Sequence, residues 1–329
     1  MLDINFDDDD LPLVPDDEDD LPLPPLPEPI WIGEPPLPQP VQGRALDGDH
    51  ALAKFTDDLD RRRRGEVVGL PWPVEWPGLA RAIGPIEPGS LTVVASRPSV
   101  GKTMFGMHLL RSLAAAGQRV LYVTRELTTT RLVRRHIAAY GANMYRLRSG
   151  DIVQADVDAI TNYQRDAAKW HTFYDENTRT IEDLNVEIIL TQPTVIIVDY
   201  LQRLAYNTEK EYAAITRIVN ELQDATLATD IPIVCLSQLA RPLKGMENRP
   251  PSMSDTRGSG AVEERAANLI LLHRRWDTEK EERFGKEVDI AKAPTSEGWF
   301  IIAKCADGEA GKFIPVLFDG ARMRITEKL

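Results

Sequence analysis

The sequence predicts an α/β fold, a mostly parallel central sheet flanked by helices, preceded by a disordered acidic N-terminal tail. Three observations carry this expectation. From Gly65 onward, short apolar β-branched runs alternate with helical patterns. One of these runs leads through a glycine turn straight into a helix. The first forty residues hold twelve acids and eleven of the 24 prolines, with no Lys or Arg.

The tail, residues 1–44, combines like-charge repulsion with residues that lack a backbone donor, so it cannot bury enough apolar surface to fold. It reads as a solubilising tail, a docking tail or an acidic occupant of a basic channel in the protein itself. Residues 45–64 read as a linker helix, with Leu52, Phe55 and Leu59 on one face. Such a helix has little of its own to pack against and is expected to dock on the core or on a neighbouring subunit. Its basic run, Arg61 to Arg64, reads as a solvated helix end. Residues 65–329 then form one large α/β domain.

Within that domain the expected strands are LTVVAS, RVLYVT, TVIIVDY, IPIVCLS, ANLILLH, WFIIAK and FIPVLF. Helices are expected after the first strand to about Ala116, across Leu132 to Tyr140, and from about Tyr212 to Thr229. Strands that are apolar throughout are buried on both faces, which requires helices above and below the sheet. No internal repeat is evident.

Charge and composition bound the function. The net charge of -12 resides in the tail, since the rest of the chain has 39 acidic and 39 basic residues. Average charge therefore does not exclude nucleic acid, and the placement of basic residues decides. No apolar run reaches the ~20 residues of a membrane span, and Met1 is followed by acids rather than a basic signal region. Cys235 and Cys305 can form neither a disulfide framework nor a tetrahedral zinc site, so a cytoplasmic protein is expected.

The strongest motif is Ala95-Ser96-Arg97-Pro98-Ser99-Val100-Gly101-Lys102-Thr103, between a strand and a helix. This is the context of a P-loop, which binds ATP with Mg²⁺. Gly101 lets successive N–H groups face phosphate oxygens, Lys102 supplies a point charge for the β- and γ-phosphates, and the Thr103 hydroxyl ligates Mg²⁺. Ser96 stands where the generic pattern has its first glycine. A metal-shell acid is expected at the end of an apolar strand, and VIIVDY offers Asp199. Tyr200 follows it where many ATPases carry a glutamate, so the base must come from elsewhere. LYVTREL offers Glu126, at the carboxyl edge of a parallel strand where nucleotides bind. The other reading of Glu126 is an acid favoured by a helix N-terminus, with Thr128 to Thr130 as a capped start.

Together these features resemble the RecA-like motor domain of the DnaB family of replicative helicases, from about Gly69 to Ile325. GLPWPVEWPGLARAIGPIEPGSLTVVASRPSVGKT is similar to the family's linker, first strand and P-loop. TREL with RLVRRHIAAYGANMYRLRSGDI is similar to its Ser-x-Glu-Met and Leu-Arg-Ser-Gly region. DYLQRL resembles its Walker B segment, IPIVCLSQLAR its sensor strand, SDTRGSGAVEERAANLILLHR its DNA-facing loop and FIIAKCADGEAGKFIPVLF its closing hairpin.

The resemblance implies an ATP-dependent helicase acting during DNA replication, assembled as a homohexameric ring around single-stranded DNA, with a helicase loader or primase as partners. It implies that Glu126 activates the attacking water, that Gln238 senses the γ-phosphate, and that the segment from Arg241 to Gly260 contacts DNA through Arg241, Lys244, Arg249, Arg257 and Gly258. Surface charge is the alternative reading of each basic side chain.

Two departures stand out. The family's closing hairpin carries Lys-x-Arg, whose arginine reaches the neighbouring subunit's ATP. Here Lys304 is present and Ala306 takes the arginine's place. Residues 1–44 also cannot form the family's N-terminal helical collar, as expected for a minimal phage- or plasmid-type helicase. Two other functions stay open: a RecA-fold ATPase of recombination that binds DNA without unwinding it, and a weakly active regulatory or loading ATPase.

Overall fold

The computed structural model describes residues 48–64, 68–199, 201, 211–242, 246–256, 259–283 and 286–328. The tail, Tyr200, Lys244, Arg257 and Gly258 lie outside the described residues.

Helix α1 (Gly48–Arg63) falls within the expected linker segment, and α2 (Pro77–Ile83) begins with a proline at its first turn. The core then runs β1 (Leu91–Ser96), α3 (Lys102–Ala115), β2 (Arg119–Thr124), α4 (Thr129–Ala139), α5 (Arg146–Ser149), α6 (Gln154–Ala167), β3 (His171–Asp175), α7 (Ile181–Thr191) and β4 (Val195–Asp199). It continues through α8 (Glu211–Thr229), β5 (Ile233–Gln238), a 3₁₀ turn (Met253–Asp255) and α9 (Ser259–Arg265). It closes on β6 (Asn268–Arg283), β7 (Lys286–Cys305), β8 (Phe313–Asp319) and β9 (Arg324–Glu327).

Among the described residues the strands form one nine-stranded sheet, in the order β3-β2-β4-β5-β1-β6-β7-β8-β9. The first six of that order are parallel, and β7, β8 and β9 add antiparallel strands. The parallel part accounts for the apolar runs. Leu91, Val93 and Ala95 of β1 pack with α7, α8 and α9, while Val94 packs with α2 and α3 on the other face. Both faces of the strand are dry, so no alternation of polar residues is needed.

Trp76 anchors one face. It is fully buried, stacks on Phe105 at 4.5 Å and donates its indole N–H to the Ile325 carbonyl at 2.7 Å. Glu327, at the end of β9, accepts from the Gly78 and Leu79 N–H groups and so caps α2, which has no side-chain cap of its own.

The structure adds elements that apolar runs do not announce. β3 is a half-buried edge strand, and β9 has four residues. β6 and β7 pair from Asn268↔Cys305 to Arg283↔Lys286, a ribbon far longer than ANLILLH and WFIIAK. A two-stranded ribbon satisfies its backbone by cross-strand bonds without covering a core, so its charged sequence gives no apolar signal.

Candidate active site

The carboxyl ends of four parallel strands bring the expected nucleotide residues together. Thr124 pairs with Asp199 across β2 and β4, and Ser96 pairs with Gln238 across β1 and β5. The 96–103 loop leaves β1 at this edge. Ser99 has φ 63° and Gly101 φ 128°, left-handed backbone conformations that turn the chain sharply into α3. A Cβ at Gly101 would also meet the Phe318 ring at 3.3 Å. Ser96 donates its hydroxyl to the Arg97 carbonyl at 2.9 Å, so the residue in the first-glycine position ties down the start of the loop.

Asp199 is fully buried and is the focus of the site. Its Oδ2 accepts from the Thr103 hydroxyl and from the Tyr122 hydroxyl, both at 2.9 Å. Its Oδ1 is buried and has no hydrogen-bond partner among the described residues. Burial pushes the Asp199 pKa up, against the two hydroxyl bonds that lower it. A buried carboxylate with one unsatisfied oxygen next to a threonine hydroxyl fits a hard divalent cation such as Mg²⁺. Lys102 is also buried, and burial lowers its pKa while Asp199 and Glu126 oppose that shift.

Tyr122 escapes sequence reasoning, because a tyrosine in an apolar strand reads as core. Its access to Asp199 depends on Gly106 of α3, where a Cβ would stand 3.0 Å from the Tyr122 hydroxyl. A glycine inside an otherwise good helix is the one sequence signal for that close approach.

Glu126 is exposed in the turn between β2 and α4. The turn is shaped by Thr124, whose hydroxyl donates to the Leu127 carbonyl and accepts the Leu127 N–H. The Arg125 N–H donates to the Asp199 carbonyl at 2.8 Å, keeping the turn beside β4. The start of α4 is capped differently from the expectation at Thr128 to Thr130. Thr128 occupies the cap position without a side-chain bond, and the Glu176 carboxylate accepts the Thr129 N–H instead.

The expected DNA-contacting residues are partly placed. Arg241 is exposed just beyond β5. Arg249 is exposed and paired with Asp255 at 2.7 Å. The Arg97 guanidinium is bonded to carbonyls of the 246–249 segment.

Lys304 lies back from the phosphate loop, beside the start of β6. β1 leaves the sheet toward the phosphate loop at Ser96↔Leu272, whereas Lys304 pairs with Leu269 near the start of β6. That offset is three residues along the strand, roughly 10 Å. The Lys304 ammonium donates to the Glu263 and Glu264 carbonyls at the carboxyl end of α9. Ala306 is exposed, and with Arg81, Asn268 and Lys312 it lines a cleft of about 410 Å³.

A family model described as DnaB-like helicase C terminal domain matches residues 73–327. The replicative DNA helicase DnaC of Bacillus subtilis (strain 168) is 29% identical over 258 residues, 73% of this chain and 56% of that protein. The replicative DNA helicase DnaB of Geobacillus stearothermophilus is 27% identical over 255 residues, with the same coverage of 73% and 56%. A probable plasmid replicative DNA helicase of Chlamydia psittaci is 29% identical over 201 residues, 57% of this chain and 43% of that protein. The chain thus spans about half the length of the curated relatives it matches.

Among solved structures, the ATPase domain of G40P superposes with a TM-score of 0.72 at 22% identity, covering 86% of this chain and 100% of that one. A DnaB-like replicative helicase, described with its interactions with primase, superposes with a TM-score of 0.68 at 21% identity, covering 86% of this chain and 67% of that one. At these identities the likeness establishes a shared RecA-like ATPase fold.

Proposed function

Because the chain belongs to the DnaB-like helicase C terminal domain family, we propose that it is an ATP-dependent, ring-forming replicative DNA helicase that translocates on single-stranded DNA and unwinds duplex. Residues 65–329 are its motor, 45–64 its linker helix and 1–44 an acidic tail. It works in the cytoplasm, where a helicase loader or primase are its partners. Among the described residues no helix is long and apolar enough to cross a membrane. The observation that carries the reading is the bond from Thr103 to the buried Asp199, beside the buried Lys102 at the carboxyl edge where Gln238 and the Glu126 turn also sit.

In this reading the backbone N–H groups of 96–102 cradle the phosphates, with Lys102 as the buried cation. Thr103 and Asp199 would hold Mg²⁺, which when bound neutralises charge between the β- and γ-phosphates. Glu126 accepts a proton from the attacking water, and its exposed position at the crevice leaves room for that water. Gln238, in register with Ser96, sits between the phosphate loop and the 241–260 segment and passes the state of the γ-phosphate to it. Arg241, Lys244, Arg249, Arg257 and Gly258 lie along that segment and follow the DNA backbone.

The test pairs two variants. Lys102→Ala is expected to abolish nucleotide binding and turnover. Glu126→Gln is expected to keep binding and stop hydrolysis, because an amide cannot accept the proton. Normal turnover by Glu126→Gln would remove it from the base position. A strand-displacement assay with the unaltered protein separates a helicase from a recombination ATPase that only binds DNA. Ala306 favours one second reading, a weakly active regulatory ATPase, and steady-state ATPase with and without single-stranded DNA decides between them.

A further inference from the structure

Arg97 is the second residue of the phosphate loop, yet its side chain belongs to a segment 150 residues further along the chain. Arg97 is 6% exposed. Its Nη1 donates to the carbonyls of Glu247 at 2.9 Å and Arg249 at 2.8 Å, with Met246 at 3.5 Å. Its Nε and Nη2 are buried without partners among the described residues. The charge of Arg97 is faced by Asp255 and Glu247, with Arg249 as a like charge and His273 close enough to feel it.

The segment it grips is folded rather than loose. Leu239 bridges Thr256 in antiparallel fashion, and the Ala240 N–H donates to the Asp255 carbonyl. Asp255 pairs with Arg249 and accepts the Ser252 N–H at 2.9 Å. Asn248 clasps the backbone of β6, accepting the Trp276 N–H at 2.7 Å and donating to the Trp276 carbonyl at 3.0 Å. The 246–256 segment therefore has a definite conformation, and Arg97 ties it to the phosphate loop.

The physical consequence follows from burial. Separating the two loops would cost a largely buried guanidinium its carbonyl acceptors. A shift of backbone at 96–98 when phosphate binds must therefore carry 246–249 with it, or break the clamp outright. Gln238 stands at the exit of β5, where the DNA-facing segment begins. Arg97 acts further along it, at 246–249.

We propose that Arg97 is a positioning residue that ties occupancy of the phosphate loop to the conformation of the 246–256 segment, so that nucleotide and single-stranded DNA alter each other's binding through this guanidinium. The inference rests on the reading of 241–260 as the DNA-contacting segment. By linkage the effect is reciprocal: the factor by which nucleotide changes DNA affinity equals the factor by which DNA changes nucleotide affinity.

The experiment uses the full chain, a labelled oligo-dT and the non-hydrolysable analogue AMP-PNP with Mg²⁺. The oligo-dT dissociation constant is measured with and without AMP-PNP, and their ratio is the coupling factor, expected to lie between roughly 5 and 150 for the unaltered protein. Arg97→Met is expected to bring the factor close to 1, whatever it does to the affinity for either ligand alone. Arg97→Lys should give an intermediate value, since its ammonium keeps the charge and the donors but ends one atom short of the Nη1 position. A coupling factor in Arg97→Met equal to that of the unaltered protein overturns the proposal, as does a factor of 1 in the unaltered protein. Should Arg97→Met lose nucleotide binding, hydrogen exchange on the unaltered chain decides. AMP-PNP alone is expected to change amide protection across 246–256, and unchanged protection there overturns the proposal. Failure of the unaltered chain to bind oligo-dT would instead sink the helicase reading, while the exchange measurement still tests the Arg97 connection.

Discussion

The two oxygens of Asp199 are in different situations: Oδ2 holds two hydroxyls and Oδ1 has no partner among the described residues. Tyr122 is what orients the carboxylate, and burial raises its own pKa well above the ordinary tyrosine value, so it stays a donor. Tyr122→Phe is expected to raise the Mg²⁺ concentration for half-maximal ATP turnover roughly 10-fold, as loss of a bond to a metal-holding carboxylate does. A Mg²⁺ titration that overlays that of the unaltered protein would reduce Tyr122 to packing. The placement of Lys102, Thr103 and Asp199 together was legible because motif and strand end announce it, whereas Tyr122 joins the candidate site only through the register of β2 against β4. His273 makes a second prediction at this scale. It stacks on Trp299 at 5.5 Å, and burial, helped by the Arg97 charge, holds its pKa down at about 4. An unfolded histidine titrates near 6.5, so between about 6.5 and 4 the unfolded chain binds more protons than the native one. The stability tied to neutral His273 is therefore complete above that window and lost as pH falls through it, on the order of 3 kcal/mol. Urea midpoints measured from pH 7 to 4.5 should fall, and His273→Phe should flatten the fall.

At the scale of elements, α1 carries an apolar stripe that the described chain leaves uncovered: Leu52 is 60% exposed, Phe55 61% and Leu59 44%. A stripe of this kind needs a partner surface, and the proposed ring supplies one on a neighbouring subunit. Phe55→Glu is expected to shift the assembly toward smaller species in sedimentation velocity while leaving nucleotide binding intact. An unchanged sedimentation profile would place the ring contacts elsewhere. The stripe was readable from spacing alone, as were the seven apolar runs that became β1, β2, β4, β5, β8 and the inner parts of β6 and β7. The remainder was not, for physical reasons. β3 lies at the sheet edge, where one side needs no apolar cover, and Glu327 caps α2 from 249 residues away. The Glu176 carboxylate does the same for α4 from outside its own sequence window. Contacts that distant leave no trace in local pattern.

At the scale of the molecule, Lys304 is set roughly 10 Å back along the strands from its own chain's phosphate loop, and the proposed ring would use it on a neighbour's phosphates. Lys304→Ala should lower DNA-stimulated turnover sharply, and Ala306→Arg should raise it by restoring a guanidinium that can fork across two oxygens. Mixing Lys304→Ala subunits with Lys102→Ala subunits should regain turnover, because some mixed interfaces combine an intact loop with an intact Lys304. No regain despite demonstrated co-assembly would count against action across the interface. That separation has a consequence for assembly. In the proposed ring each chain would offer its phosphate loop to one neighbour and Lys304 to the other, so subunits would join head to tail. An open row of n chains completes only n − 1 sites, with one loop unserved at its end, whereas closing the row completes all n. Turnover per chain would then report closure directly, stepping up when the last gap shuts even though no chain has changed its own fold.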